Sequence, residues 1–130
     1  MTSSLIDSHC HIHFPQFEGD RAQVIENARL AGISQLIVVG TNRDTNPQVL
    51  ALAEQYDFVY CALGIHPHDA STASPDDLTW IAAHALHPKV KAIGECGLDY
   101  HYPDFDQAQQ ARIFRAQIDL AHQLNLPLVI

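Results

Sequence analysis

Continuous apolar runs, separated by segments with helical spacing, constrain this chain more than any other feature of its sequence. Two of the runs, Leu-Ile-Val-Val at 36–39 and Phe-Val-Tyr-Cys-Ala-Leu-Gly-Ile at 58–65, are followed by a shorter one at 90–94. Runs of this kind are typical of strands that are buried on both faces of a parallel sheet. A strand near the N-terminus precedes them, and another is predicted at 126–130. The sequence therefore predicts five parallel strands in an α/β fold.

Four helices are predicted between these strands, because apolar residues recur there at helical spacing. Asn46 is the predicted N-cap of the second helix and Ser74 that of the third, and a proline follows each of them at the first helical position. The fourth and longest helix is predicted from about 106 to 124. Its buried stripe is predicted to consist of Ala111, Phe114, Ile118 and Ala121.

Ionisable residues stand at the carboxyl ends of three predicted strands. His9 and His11 end the first strand, His66 and His68 follow the third, and Glu95 follows the fourth. A (β/α)8 TIM barrel assembles its active site at these strand ends. An open doubly wound sheet also binds ligands there, but no Gly-rich phosphate loop follows the first strand. The pattern favours the barrel, of which the chain would supply four βα units and a fifth strand as a single domain.

The first and fourth strand ends together suggest a metal site. Side chains alternate along a strand, so Asp7, His9 and His11 are predicted to share one side of it. Two imidazoles at this spacing on a rigid strand can reach one divalent ion. The two carboxylate oxygens of Glu95 can bridge a pair of cations. A salt-bridged glutamate is the alternative, but the nearby histidines favour a metal site. Asp7 is either a further ligand or, as we expect, an acceptor that orients one of the imidazoles.

The loops around this site offer candidates for substrate binding. His66 and His68 are predicted to contact a substrate phosphate, since imidazole changes its charge near neutral pH. The alternative is that they only shape the mouth of the site. Asp99 either holds its own loop in place or lines the site, and the sequence does not separate these roles. His13 is expected beyond the strand, on the rim.

Charge and composition limit the possible partners. A net charge of −8 without a cluster of Lys or Arg argues against tight electrostatic binding of a long duplex, but not against a pocket that binds phosphate through metal ions. The three cysteines lie in apolar runs and are interpreted as buried free thiols, which suggests a reducing compartment. No signal peptide is recognisable, and no apolar run approaches the roughly 20 residues that span a bilayer. We therefore expect a cytoplasmic protein without membrane contact.

Four phrases of the sequence resemble, in order and spacing, the N-terminal half of the TatD-family metal-dependent deoxyribonucleases. The phrases are Asp7-Ser-His-Cys-His11, Gly64-Ile-His-Pro-His68, Ala92-Ile-Gly-Glu-Cys-Gly-Leu-Asp-Tyr100 and Leu126-Pro-Leu-Val-Ile130. The resemblance covers essentially the whole chain, and it implies a (β/α)8 barrel with a two-metal phosphodiesterase site. In that site His9 and His11 match ligands of one ion, and Glu95 matches the catalytic carboxylate that bridges both ions. His66, His68 and Asp99 match positions that line the site.

The resemblance also implies features that lie outside this chain. Members of the family are about twice as long, in keeping with the ~250 residues of a typical barrel. Their remaining ligands, two histidines and an aspartate, come after the position that corresponds to Ile130. His13 replaces an acidic residue that is common in the family.

The function expected from the sequence is hydrolysis of phosphodiester bonds in DNA. We expect an exonuclease that acts on single-stranded ends and uses two divalent ions, Mg, Mn or Zn. One alternative keeps the barrel and the metals but hydrolyses another ester or an amide. The other is a catalytically silent half barrel that self-associates into a homo-oligomer, because an unclosed sheet exposes its edges and an apolar face.

Overall fold

A computed structural model describes residues 4–130. Its single sheet is parallel, in the order β1-β2-β3-β4. The strands are β1 (Leu5–Cys10), β2 (Ile33–Val39), β3 (Val59–Leu63) and β4 (Val90–Ile93). The helices are α1 (Arg21–Leu30), α2 (Thr45–Gln55), α3 (Pro75–His84) and α4 (Gln107–Leu124), with short 3-10 turns at Pro15–Phe17 and Pro67–Asp69. This repeat of βα units confirms the predicted fold class, a part of a (β/α)8 barrel.

The strands divide the apolar core into two layers, because their side chains alternate between the faces of the sheet. The layer between the sheet and the helices holds the larger strand residues Leu36, Val38, Val59, Cys61, Leu63 and Ile93. The opposite face carries a smaller cluster of Val39, Ala62 and Ala92. Both faces are thus apolar, which explains why the strand sequences read as continuous runs.

The predicted fifth strand does not form as a regular strand. The segment after α4 lies parallel to β4 and makes one isolated bridge, between Ile93 and Leu128. The N–H of Ile93 donates to the carbonyl of Pro127, and its carbonyl accepts from Val129, both at 2.9 Å. In a regular parallel ladder the N–H of Glu95 would next donate to Val129, but it donates to the carbonyl of Gly40 at 2.9 Å. The carbonyl of Val129 accepts the N–H of Cys96 instead, at 3.0 Å, so the regular pairing does not extend into a second bridge.

The predicted buried stripe of α4 is confirmed at Ala121 but is wrong by one position at its other three residues. Ile118, predicted to be buried, is 39% exposed. The buried residues are Gln110, Ile113, Gln117 and Ala121. From their polarity alone, Gln110 and Gln117 would be expected on the exposed face of the helix. In the structure their side-chain amides form hydrogen bonds with main-chain groups of the loops after β4 and β3. A paired amide can be buried without the cost of an unsatisfied polar group.

The predicted N-cap of α2 is also wrong. The helix begins at Thr45, and Asn46 is buried in its first turn. The Asn46 amide donates to the carbonyl of Gly64 at 2.9 Å and accepts its N–H at 3.1 Å, which ties α2 to the end of β3. The predicted cap of α3 is confirmed, since the N–H of Ser74 donates to the Asp77 carboxylate at 2.7 Å in a capping box.

The ends of β3 and β4 approach each other at two glycines. A Cβ atom on Gly64 would overlap the main chain of Gly94, and a Cβ atom on Gly94 would overlap the carbonyl of Val129. Gly94 also has a φ of 152 degrees, which side chains disfavour. These two positions therefore require glycine, and the residues that follow them are brought close together.

The three cysteines carry free thiols, as predicted, but Cys10 is only half-buried. Cys61 and Cys96 are buried, and burial raises the pKa of Cys61 to about 12 and that of Cys96 to about 11. Neither thiol is thus available as a nucleophile near neutral pH. Among the helices of residues 4–130, none is both long and apolar enough to cross a membrane.

Candidate metal centre

Three potential metal ligands converge at the carboxyl ends of β1 and β4. The Nε2 atoms of His9 and His11 are 3.3 Å apart, and each of them is 3.2 Å from Oε2 of Glu95. Within residues 4–130 this is the one group of three His, Cys, Asp or Glu side chains whose ligand atoms lie close enough to share an ion. The structure thus brings together the three residues that the sequence predicts as ligands.

The size of this triangle fits a divalent cation. Metal–nitrogen distances near 2.0–2.1 Å place two ligands of a tetrahedral site about 3.4 Å apart and those of an octahedral site about 2.9 Å apart. The observed separations of 3.2 and 3.3 Å lie between these values. Imidazole nitrogen and carboxylate oxygen are also donors that Zn and Mn accept. Both the geometry and the chemistry of the donor set are therefore suited to such an ion.

An irregularity in β1 lies next to the two histidines, of which His9 belongs to the strand and His11 follows it. Asp7 pairs with Leu36 and Cys10 pairs with Val38, so β1 uses one more residue than β2 over this interval, as in a β-bulge. The strict alternation predicted for this stretch is therefore interrupted. The Asp7 carboxylate accepts the main-chain N–H of His9 at 3.2 Å. It was predicted to orient an imidazole, but among the described residues it binds the main chain of the strand instead.

His11 is oriented by a main-chain carbonyl and an aromatic ring. Its Nδ1 lies 3.1 Å from the carbonyl oxygen of Val39. Because a carbonyl can only accept, Nδ1 carries the proton and Nε2 presents a lone pair towards Glu95, the tautomer that a metal ligand needs. The His11 ring also stacks on Phe14, with centroids 4.7 Å apart.

His66 faces the other oxygen of Glu95. Its Nε2 is 3.4 Å from Oε1, and its Nδ1 accepts the main-chain N–H of His68 at 3.1 Å. This bond leaves the ring proton on Nε2. Burial lowers the pKa of His66 and outweighs the opposite effect of the Glu95 charge. His66 is thus a neutral imidazole whose protonated Nε2 lies near the carboxylate.

His68 and Asp99 form a second pair beside this group. Nε2 of His68 is 2.6 Å from Oδ2 of Asp99, while Oδ1 of Asp99 accepts the N–H of His101 at 3.0 Å. The bond from His101 and then the one from His68 lower the pKa of the Asp99 carboxyl. The pair joins the loop after β3 to the loop after β4.

An open cleft connects most of these residues. It has a volume of about 280 Å³ and is lined by His11, Phe14, Thr41, His66, His68, Asp69 and Glu95. Of the predicted substrate contacts, His66 and His68 line this cleft, while Asp99 meets it only through its bond to His68. The roles of these residues stay predictions, but in the structure they lie close together at the carboxyl ends of the strands.

Two buried glutamines of α4, which the sequence analysis missed, fix the loops that carry these residues. Gln117 accepts the N–H of Ile65 at 2.8 Å and donates to its carbonyl at 3.0 Å. Gln110 makes the same two bonds with Asp99, at 2.8 and 2.9 Å. Because they are seven residues apart, both glutamines lie on one face of the helix. This spacing is the feature of the sequence that could have indicated their burial.

His13 is buried at 4% exposure and does not lie on the rim as predicted. Among the described residues, neither of its ring nitrogens has a hydrogen-bond partner. Burial, with smaller contributions from His11 and Arg21, lowers the pKa of His13 to about 4. The ring packs edge-on against Phe14, with centroids 4.7 Å apart, and serves as an uncharged core residue.

Comparisons with known proteins identify the family to which the chain is similar. A family model described as TatD related DNase matches residues 6–130. The uncharacterized metal-dependent hydrolase YabD of Bacillus subtilis is 42% identical over 126 residues, which are 97% of this chain and 49% of that protein. The 3'-5' ssDNA/RNA exonuclease TatD of Erwinia tasmaniensis is 42% identical over 116 residues, 88% of this chain and 45% of that protein.

A solved structure agrees with these sequence matches. The crystal structure of YJJV, a TatD homologue from Escherichia coli, superposes with a TM-score of 0.88 at 36% identity and covers 95% of this chain and 49% of that one. The chain thus spans about half the length of the curated relatives it matches. The match over almost every residue confirms the resemblance seen in the sequence, and the chain belongs to the TatD related DNase family.

Proposed function

We propose that the protein hydrolyses phosphodiester bonds at single-stranded nucleic acid ends, with DNA as its main substrate. In this proposal His9 and His11 would hold one divalent ion, and Glu95 would offer its carboxylate to that ion and to a second. The ions are Mg, Mn or Zn. The family's metal-dependent relatives and those named ssDNA/RNA exonucleases support this choice of cofactor and substrate.

The observation that carries the proposal is the way in which Glu95 uses both of its oxygens. Oε2 faces the imidazoles of His9 and His11 at 3.2 Å, and Oε1 faces His66 at 3.4 Å. Two imidazole lone pairs and a carboxylate at these distances repel one another unless a cation or a proton lies between them. A carboxylate whose two oxygens point in different directions can serve two cations.

The chemistry divides between the ions and the protein. A bound divalent cation lowers the pKa of water and stabilises charge on phosphoryl oxygens. Water then supplies OH to phosphorus and a proton to the departing hydroxyl group. The Nε2–H of His66 donates to a phosphoryl oxygen, and His68, oriented by Asp99, contacts the neighbouring part of the substrate. Glu95 is the catalytic carboxylate because it fixes the ions relative to His66.

Metal content and nuclease activity, measured together, test the proposal. The purified protein is stripped with EDTA, reloaded with Mn or Zn and incubated with end-labelled single-stranded DNA. We expect metal binding and DNA cleavage in the parent protein, and the loss of both in His9→Ala and Glu95→Gln. His122→Ala, an exposed histidine of α4, is the matched control and should behave like the parent. Metal retained in both site variants would contradict the assignment.

The alternatives predict different products. A metal-loaded protein that leaves DNA and RNA intact but hydrolyses a nitrophenyl ester or an anilide would support the reading of a related hydrolase with another substrate. In the alternative of a half barrel that self-associates, two copies would meet at the edge strand β1, whose residues Leu5 and Ile6 are 55% and 57% exposed. Light scattering tests this form, and a stable monomer would contradict it.

A further inference from the structure

A group of aromatic side chains beside the candidate metal centre has no part in metal binding. The ring of His68 stacks on Phe105, with centroids 4.5 Å apart and planes 11 degrees from parallel. Tyr102 packs edge-on against both rings, at 5.3 Å from His68 and 5.9 Å from Phe105. We call these three residues the aromatic cluster. Phe105 and His68 form its inner, half-buried part, whereas Tyr102 is 50% exposed.

The aromatic cluster is continuous with the metal centre. The rings of His68 and His66 are 4.6 Å apart, and Nε2 of His66 is 3.4 Å from Oε1 of Glu95. Only two imidazole rings therefore separate Tyr102 from the carboxylate. A substrate whose phosphate lies at Glu95 and His66 would place its next group against the cluster.

The charge around the cluster indicates which chemical group it accepts. Between Gly97 and Arg112 the chain carries three aspartates, Asp99, Asp104 and Asp106, and no Lys or Arg. The carboxylates of this loop repel a phosphate, whereas its aromatic rings offer a substrate flat surface. The ring of His101, also in this loop, packs edge-on against Tyr102 with centroids 4.7 Å apart. Nucleobases bind to such surfaces by stacking, and they can do so only when they are not paired in a duplex.

We propose that Tyr102, supported by His68 and Phe105, forms a stacking subsite for an unpaired nucleobase next to the phosphodiester bond that is cleaved. The proposal rests on the proposed function, and it adds a structural reason for selecting single strands. Tyr102 has the main role because it is the exposed member of the cluster. Tyr100 is equally exposed, at 50%, but it has no aromatic partner among the described residues and lies outside the cluster.

The test compares base-bearing and abasic substrates. Single-stranded DNA oligonucleotides carry one tetrahydrofuran abasic unit at each of the three terminal positions in turn, and KM is measured for each. With the parent protein we expect one position at which base removal raises KM roughly 5- to 150-fold, the range known for base–aromatic stacking. Tyr102→Ala should raise KM for the intact oligonucleotide by a similar factor and remove the difference between the two substrates.

Two variants separate stacking from loop damage. Tyr102→Phe keeps the ring and should behave like the parent, and Tyr100→Ala should retain the preference for the base-bearing substrate. Equal losses in Tyr100→Ala and Tyr102→Ala would overturn the proposal. So would a base preference that falls steeply with rising salt, since stacking lacks the salt dependence of phosphate contacts.

Failure of the subsite is distinguishable from failure of the proposed function. If DNA is cleaved but abasic and intact ends have the same KM, the subsite is wrong while the nuclease assignment holds. If DNA is not cleaved, binding of an oligonucleotide with a terminal 2-aminopurine is followed by its fluorescence. Quenching that is lost in Tyr102→Ala and kept in Tyr100→Ala would then support the subsite alone, and unchanged quenching in both would overturn it.

Discussion

The molecule contains two His-x-His pairs with the same spacing and different environments. His9 and His11 lie at the end of β1, and both Nε2 atoms face the same carboxylate oxygen of Glu95. His66 and His68 flank a proline that opens a 3-10 turn, in which Nδ1 of the first ring accepts the N–H of the second residue. Their Nε2 atoms face two different carboxylates. The rings of the second pair are as close as those of the first, with centroids 4.6 and 5.2 Å apart, but the turn directs their Nε2 atoms to different carboxylates.

The pairs also differ in what holds them. The first pair depends on strand pairing with β2 and on the carbonyl of Val39. The second pair is attached to α4 through the amide of Gln117, and through the bond of His68 to a loop that Gln110 holds. The structure thus supports the first pair by main-chain pairing and the second by buried side chains. We therefore expect their variants to affect different properties.

The largest expected difference is in metal affinity. His11→Ala removes a proposed ligand and should weaken Mn or Zn binding by more than about 100-fold, the upper range for residues that only support a ligand. His66→Ala should change metal affinity less than about 10-fold but lower the rate of DNA cleavage by about 10²- to 10³-fold, as for the loss of one positioned donor. Titration against a chromophoric chelator measures the affinities. Equal losses of affinity in the two variants would remove the distinction between the pairs.

The next effect concerns the attachment of the second pair to α4. Gln117→Met keeps the size of the side chain but leaves the buried N–H and carbonyl of Ile65 without their partner. We expect a loss of about 2–4 kcal/mol in the free energy of unfolding. Urea denaturation measures it, with the exposed Gln123→Met of the same helix as the control. An unchanged midpoint would show that the Ile65 loop does not depend on this amide.

His13 sharpens the comparison, because it continues the spacing of the first pair without sharing its environment. Its buried ring has no hydrogen-bond partner among the described residues. His13→Leu should therefore raise the free energy of unfolding by about 1–2 kcal/mol, since it removes two unsatisfied buried nitrogens. Urea midpoints near neutral pH measure the effect. A lower stability would mean that the imidazole has a partner after all.

The smallest effect is on the pH dependence of stability. The pKa of Asp99 is lowered in the folded protein by its bonds with His101 and His68, so its contribution to stability is complete above the ordinary Asp pKa and is lost as the pH falls through the folded pKa. Relative to the parent, Asp99→Asn should be slightly less stable at neutral pH, and the gap should close below about pH 4. Urea midpoints from pH 7 to pH 3 test this, with Asp104→Asn as the control. A gap that does not change with pH would contradict the assignment.

The strands β2, β3 and β4 are predicted correctly because buried parallel strands require apolar runs, and His66 and Glu95 follow the runs of β3 and β4 within a few residues. Apolar pattern alone was not sufficient at 126–130, where no regular strand forms, or for the buried stripe of α4. Other mistakes concern polar residues whose partners are distant in sequence. Gln117 and Ile65 are 52 positions apart, and no local pattern shows that such an amide will be satisfied when it is buried. The prediction that Asp7 orients an imidazole was wrong for another reason. The irregularity in β1 interrupts the alternation of side chains on which that prediction depended.

The glycine contact between β3 and β4 has a practical consequence for protein engineering. Gly64 and Gly94 contact each other through main-chain atoms, and a methyl group on Gly64 would push the two strand ends apart. His66 and Glu95 would then move apart together with their strands. A library that seeks new substrates can therefore vary Tyr100, Tyr102 and the other exposed loop positions while these two glycines stay constant. The glycines thus maintain the distance between His66 and Glu95, and the exposed loops are the part of the site that can be varied.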